Sequence, residues 1–451
     1  VGSIVGKISN SGYTINDVYV NHIMPEQDKD VLIISGDGTG IGGVIGFVDK
    51  CSDSSLADVT IRTTVGSTGN STNFNSDIEK LDGMDVGGLI GICDTNGSTT
   101  ISDVKVSGHI KGDAYIGGFI GSSQIYSHTN TNLIFKGTNC IQPEESSYVA
   151  VTGLNYIGGL IGVLAYTTLT IEKPIIITSN VNGTYDCVGG FCGYMLSSVC
   201  NLTNLQFSEI MTINGNSNVG GVVGEIYQSN VSGPTKIDFT NGHQSALPNF
   251  NDLSSLFNGK VNGTNNVGGF AGTIYDSTVT GFAVNVNVTG STNVGSFAGK
   301  IRICDSNDYI NSNASNGNVH GTGENIAGIV GYLELHSSSA SFDYVGFNNN
   351  IAYGNISGGS NVSGVVGFLD VNGANFTMQY CVNTAQVVGS GHVGGVLAHV
   401  YQNNNAPTIQ YCANFGNISQ IQQRRKDDIQ RRSMGSTGYS SAHTPTFQHQ
   451  L

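Results

Sequence analysis

Tryptophan is absent from this 451-residue chain, and only 11% of its residues carry a charge. A helical enzyme covers its surface with Lys and Glu, and this composition excludes that make-up. Basic residues are the scarcer sign, with 18 Lys and Arg against 32 Asp and Glu. A net charge of −14 repels a phosphate backbone, so nucleic acid is not an expected partner. No stretch reads as a membrane span, and no window carries an apolar stripe with helical period long enough to compete with strands. No loop repeats Asp at the spacing a calcium site demands.

What is abundant is glycine, 64 residues, and asparagine, 48 residues. The apolar residues are β-branched and regularly spaced, which a chain unable to bury a core would lack. One phrase recurs: an aliphatic residue, Gly-Gly, two apolar residues and Gly. It opens at Val1, Ile41, Val86, Ile116, Ile157, Val188, Val219, Val267, Val294, Ile326, Val362 and Val393. The intervals centre on 31 residues, with longer insertions in four places. Such a period marks an array in which each unit buries its apolar face against its neighbours.

Between anchors, segments such as Ile101–Ile110 alternate apolar and polar residues, a strand signature. Two or three short strands per unit, separated by Gly and Asn turns, predict an all-β repeat solenoid, a parallel β-helix of about 12 coils. At the strand spacing of a sheet, such a stack runs to about 55 to 60 Å. The phrases Gln379-Tyr380-Cys381-Val382-Asn383 and Gln410-Tyr411-Cys412-Ala413-Asn414 lie at equal offsets from their anchors. Coils in register would stack Tyr380 on Tyr411 and Asn383 on Asn414, and would make Cys381 and Cys412 neighbours.

The anchor followed by a strand and a turn such as Gly354-Asn355-Ile356-Ser357 resembles the GLUG repeat; Leu89-Ile90-Gly91 and Leu160-Ile161-Gly162 are its nearest copies. The resemblance covers residues 1–419. It implies a surface protein of adhesin type or the non-catalytic part of an IgA-specific metallopeptidase, because such repeats occur in both and in large surface proteins of some unicellular eukaryotes. The His-Glu-x-x-His string of a zinc peptidase does not occur in this chain.

The chain opens inside an anchor and reads as a piece of a longer array. Gly416-Asn417-Ile418-Ser419 copies the earlier turn, and then the repeat stops. Residues 420–451, with Gln-Arg-Arg-Lys-Asp-Asp-Ile-Gln-Arg-Arg from Gln423 to Arg432, are expected to form a disordered tail.

Several strings imitate known chemistry. The runs from Gly38 to Gly43 and from Gly389 to Gly394 match a dinucleotide fingerprint, but the helix it needs is missing, so no cofactor is expected. None of the nine cysteines shows zinc spacing. Buried free thiols are the default reading, with Cys187–Cys200 and Cys381–Cys412 as the pairs to weigh in an oxidising compartment. Twelve Asn-x-Ser/Thr sequons are close to what this composition yields by chance. His392 and His399 would face opposite sides of a strand unless a turn intervenes, so no metal is expected. Asp58 and Asp103 occupy equivalent positions, as sugar chemistry on adjacent coils would require, yet a solvated face explains them equally well.

The expectation is a non-catalytic extracellular or cell-surface scaffold with no catalytic, cofactor or metal residues. Its partners would be a host or matrix protein or a glycan, or further copies of itself end to end. Carbohydrate-active β-helices are the alternative. Recognition is expected in the insertions, chiefly Gly233 to Lys260, with Pro234, Pro248, Phe250 and Phe257, and Gly137 to Val151, with Pro143, Glu144 and Glu145.

Overall fold

The computed structural model describes residues 1–21, 33–35, 38–62, 64–66, 83–125, 128–141, 150–207, 211–239, 247–253, 255–304, 307–336, 342–372, 374–403 and 406–421. One coil runs through four sheets. Met84–Gly87 lies in sheet I, Ile90–Thr95 in sheet II, Ser98–Ser107 in sheet III and His109–Lys111 in sheet IV, before Ala114–Gly117 re-enters sheet I. Neighbouring coils pair in parallel, giving sheets of 11, 12, 15 and 16 strands among the described residues. The fold is a parallel β-solenoid. Each coil holds four sheet segments rather than the two or three strands that turn residues suggest, because several strands end at left-handed residues other than glycine.

The anchors set the register. Ile41, Val86, Ile116, Ile157, Val188 and Val219 are successive partners in sheet I, followed by Val267, Val294, Ile326, Val362 and Val393. All but Val393 are fully buried, and the interior column continues with large side chains such as Phe119, Phe191, Phe270 and Phe297. Phe270 stacks on Phe297 with centroids 4.9 Å apart and planes at 3°. Fully burying each such side chain contributes about 1.5–3 kcal/mol.

Most anchors answer close approach of backbone to backbone with glycine, although Ser296, Ala327 and Ser363 stand at such positions in three later coils. A Cβ on Gly117 would run into the Ile120 carbonyl, one on Gly118 into the Gly159 carbonyl of the next coil, and one on Gly121 into the backbone at Asp85 and Val86. Where glycine stands, sheet II therefore folds back against sheet I with only glycine between them.

The two copies near the carboxyl end stack as their equal offsets require. Tyr380 and Tyr411 are parallel, with centroids 5.1 Å apart, and Asn383 Nδ2 donates to Asn414 Oδ1 at 2.7 Å. Val1–Gln420 forms one compact unit. Of the expected tail, residues 420–451, Gln420 instead ends strand Ile418–Gln420 and pairs with Gly389, and residues from 422 onward lie outside the described residues.

Candidate binding surfaces

Outward side chains of sheets I and II meet over the glycine contact and form a wedge along the solenoid. On the sheet I side, a residue other than glycine holds left-handed backbone before nine of the anchors: Asp85, Tyr115, Tyr156 and Cys187, then Asn218, Asn266, Asn293, Asn325 and Asn361 at φ of 50–63°. Asparagine tolerates this conformation best among residues with a Cβ. Its amides then form one chain. Asn361 Nδ2 donates to Asn325 Oδ1 at 2.8 Å, Asn325 to Asn293 at 2.9 Å, Asn293 to Asn266 at 2.8 Å, and Asn266 to Asn218 at 2.9 Å.

Histidines close one end of this ladder. His392 Nδ1 and His399 Nδ1 lie 2.9 Å and 3.3 Å from Asn361 Oδ1, with ring centroids 4.9 Å apart. The anchor turn intervenes between them, so the opposite-face expectation from strand alternation does not hold. Sharing one carbonyl acceptor requires both rings to present Nδ1–H.

At the other end Asn218 Nδ2 donates to Glu225 Oε2 at 2.9 Å, and the Cys187 thiol lies 3.4 Å from the same oxygen. Burial pushes the Glu225 carboxyl above the usual carboxylate range, and pushes the Cys187 thiol well up. Tyr115, Tyr156 and Tyr194 continue the wedge, with centroid separations of 5.2 Å and 5.7 Å. Burial raises the phenols of all three. Below them Ser122 donates to the buried Asp85 carboxylate.

Sheet II also carries a charged row on its outer face. Lys300, Tyr332, Phe368 and His399 are register partners on successive coils, and so are Arg302, Glu334, Asp370 and Tyr401. Glu334 pairs with Lys300 at 2.8 Å and with Arg302 at 3.5 Å, while Tyr332 donates its hydroxyl to Asp370 Oδ2 at 2.9 Å. The Asp370 Oδ1 atom is buried with no hydrogen-bond partner.

Sheet IV holds a depression of about 300 Å³, lined by Met211, Thr212, Asn258, Gly259, Lys260, Asn285, Val286 and Asn287. It lies over the paired strands Met211–Asn214, Ser255–Asn262 and Ala283–Gly290 of successive coils. Val286 forms the floor at 1% exposure.

The long insertion folds back on the solenoid. Ile237 O accepts from Ser312 Oγ at 2.7 Å, Phe239 N donates to Asn349 Oδ1 at 3.1 Å, and Pro248 O accepts from the Tyr353 hydroxyl at 2.6 Å. Ile237 and Phe250 cover Ala283, Ala314, Ile351 and Val382, a second apolar cluster spanning four coils. Its apolar groups thus face the chain itself, and the insertion acts as a brace. In the other insertion Pro143, Glu144 and Glu145 lie outside the described residues.

Other singled-out residues have local roles. Asp58 and Asp103 stand at left-handed corners, as does Asp17 one coil earlier. Asp103 accepts from Ser102 Oγ at 2.5 Å and Thr138 N at 2.8 Å, which holds its carboxyl below the usual range. The glycine run at Gly38 continues into strands Thr39–Gly42 and Ile45–Cys51, and the run at Gly389 into Val393–Gly394. All nine cysteines are free. Cys187 lies in the wedge, whereas Cys200 packs in the core beside Met195 Sδ at 3.8 Å, so these two do not meet. Cys381 and Cys412 do meet: burial raises the Cys381 thiol, and its hydrogen bond lowers that of Cys412. Among the sequons, Asn313 and Asn361 are buried, while Asn287 and Asn355 are exposed. Among the described residues no group of three or more His, Cys, Asp and Glu side chains could hold a metal ion, and no helix is long and apolar enough to cross a membrane.

Comparison with family models, with curated proteins and with solved structures returns no match.

Proposed function

We propose that this chain is a scaffold of a cell surface or secreted protein, adhesin-like and built from GLUG-like repeats, that binds or spaces without catalysis. The observation that carries this reading is the use of polar side chains between coils. The asparagine ladder from Asn218 to Asn361, the Ser198–Ser229–Ser277 corner bonds and the Asn383–Asn414 pair all satisfy a neighbouring coil. Side chains committed in this way stiffen a repeat and present regular faces to a host protein, a matrix protein or a glycan. Beads coated with the protein should adhere saturably to epithelial cells, to immobilised matrix proteins or to glycans. Absence of adherence to all three would reject an adhesive role.

A second reading rests on Glu334 and Asp370, carboxylates on adjacent coils of one face beside Lys300, Arg302 and Tyr332. A carbohydrate-active β-helix needs two acids so placed. Release of reducing ends from a polysaccharide panel, abolished by both Glu334→Gln and Asp370→Asn, would favour it over the scaffold.

A further inference from the structure

The depression in sheet IV differs from the other polar faces in what its side chains have left to offer. Asn258 Oδ1 accepts from Ser255 Oγ at 3.2 Å, Asn285 Oδ1 from Asn316 Nδ2 at 3.2 Å, and Asn287 Oδ1 from Asn318 N at 3.0 Å. The amide oxygens are thus engaged by their own strand or by the next coil. Their Nδ2 groups donate to no protein acceptor among the described residues. Lys260 stands among them, exposed, and enters no ion pair among the described residues. Thr212, its register partner, adds a hydroxyl. Among the described residues no carboxylate lines the depression, although the chain as a whole carries a net charge of −14.

A lining of one ammonium, three amide NH2 groups and one hydroxyl is rich in donors and poor in acceptors. It suits a ligand with the opposite inventory, bearing an anionic group and several further oxygens. At about 300 Å³ the space is at the small end of ligand sites. We infer that this depression binds the carboxylated sugar unit of an acidic glycan, its carboxylate against Lys260 and its ring oxygens and hydroxyls against Asn258, Asn285 and Asn287. This deepens the scaffold reading and rests on it, by naming the class of glycan recognised.

Calorimetric titration of the purified chain with 3′-sialyllactose and with trigalacturonate tests the inference, with lactose as neutral control and citrate as a carboxylate that is not a sugar. At least one acidic oligosaccharide should bind, with lactose at least tenfold weaker. Lys260→Gln should weaken that binding at least tenfold without changing the melting temperature, because the residue is exposed. Asn285→Asp, which sets a like charge beside the ligand, should weaken it similarly and serves if Lys260→Gln folds poorly. Equal affinity for lactose, retained binding in both variants, or no binding would overturn the site. Citrate binding as tightly as the sugars would overturn the sugar assignment. Bead adherence separates the two levels: wild-type beads that adhere with no acidic-sugar binding leave the scaffold and remove the site, whereas sugar binding without adherence does the reverse.

Discussion

The two halves of the wedge meet one backbone demand with different side chains. From Asp85 to Cys187 four coils use three solutions at the left-handed position: a buried carboxylate held by Ser122, two tyrosines in ring contact, and a thiol against Glu225. From Asn218 to Asn361 five coils repeat one residue. The backbone at this position is equivalent in both halves, left-handed in all nine coils, although Ser296, Ala327 and Ser363 replace anchor glycines in the second. The difference therefore lies in what links one coil to the next, ring packing and isolated hydrogen bonds in the first half and one continuous hydrogen-bonded chain in the second. Conformation selects asparagine, and repetition turns it into a chain of bonds.

The largest expected effect tests the part the halves share. Gly117→Val and Gly268→Val each force a side chain into a carbonyl, of Ile120 and Ala271 respectively. Each should cost about 4 kcal/mol or more, read as a fall in urea midpoint or loss of soluble protein. A large loss in one half only would break the equivalence.

The brace lies over the second half, so part of that half's stability belongs to it rather than to the ladder. Phe250→Ala should cost about 3 kcal/mol. Hydrogen exchange should rise around Ala314, Ile351 and Tyr353 while Val86 to Val188 stay protected, and uniform loss of protection would show that the halves unfold together.

Asn293→Ala leaves Asn266 Oδ1 without its donor and Asn325 Nδ2 without its acceptor, at a cost of about 2 kcal/mol. Tyr156→Asn, in the half without a ladder, should cost about 1 kcal/mol through lost ring contact. Equal losses in thermal melts would mean that the ladder adds nothing beyond packing.

The smallest effect falls at the junction. The Glu225 carboxyl is raised in the folded state, chiefly by burial, so it binds its proton more tightly there than in the unfolded chain. The stability tied to that proton is fully present below about pH 4.3, the unfolded value, and is lost as pH rises through the folded one. Glu225→Gln should therefore gain in melting temperature relative to wild type between pH 4 and pH 7. A constant difference across that range would mean that the carboxyl is not perturbed by folding.

Much of this was legible in the sequence. The anchor spacing states the period, and equal offsets of Tyr380 and Tyr411 state the register, because in-register stacking maps sequence distance onto spatial neighbourhood. The ladder also left a signal: Asn stands directly before the anchor at Val219, Val267, Val294, Ile326 and Val362. That signal is diluted because the position carries Gly, Asp, Tyr, Cys or His in the other coils. Strand alternation does not show the meeting of His392 with His399, because the chain turns between strands Val393–Gly394 and Leu397–Asn403. The brace could not be read at all, since Pro248 and Tyr353 meet across 105 residues with no periodic mark. Nor could the depression, a concavity over three coils that no residue pattern marks.

The ladder runs one way. Each amide from Asn361 to Asn218 aims its NH2 at the preceding coil and its oxygen at the following one, so the side-chain dipoles add along the axis much as peptide dipoles do in a helix. The positive pole meets the Glu225 carboxyl and the negative pole meets the Nδ1–H groups of His392 and His399. A sheet has almost no net dipole of its own, so these five coils owe their electrical direction to side chains alone. Charge of either sign placed along the wedge would feel which end it is near.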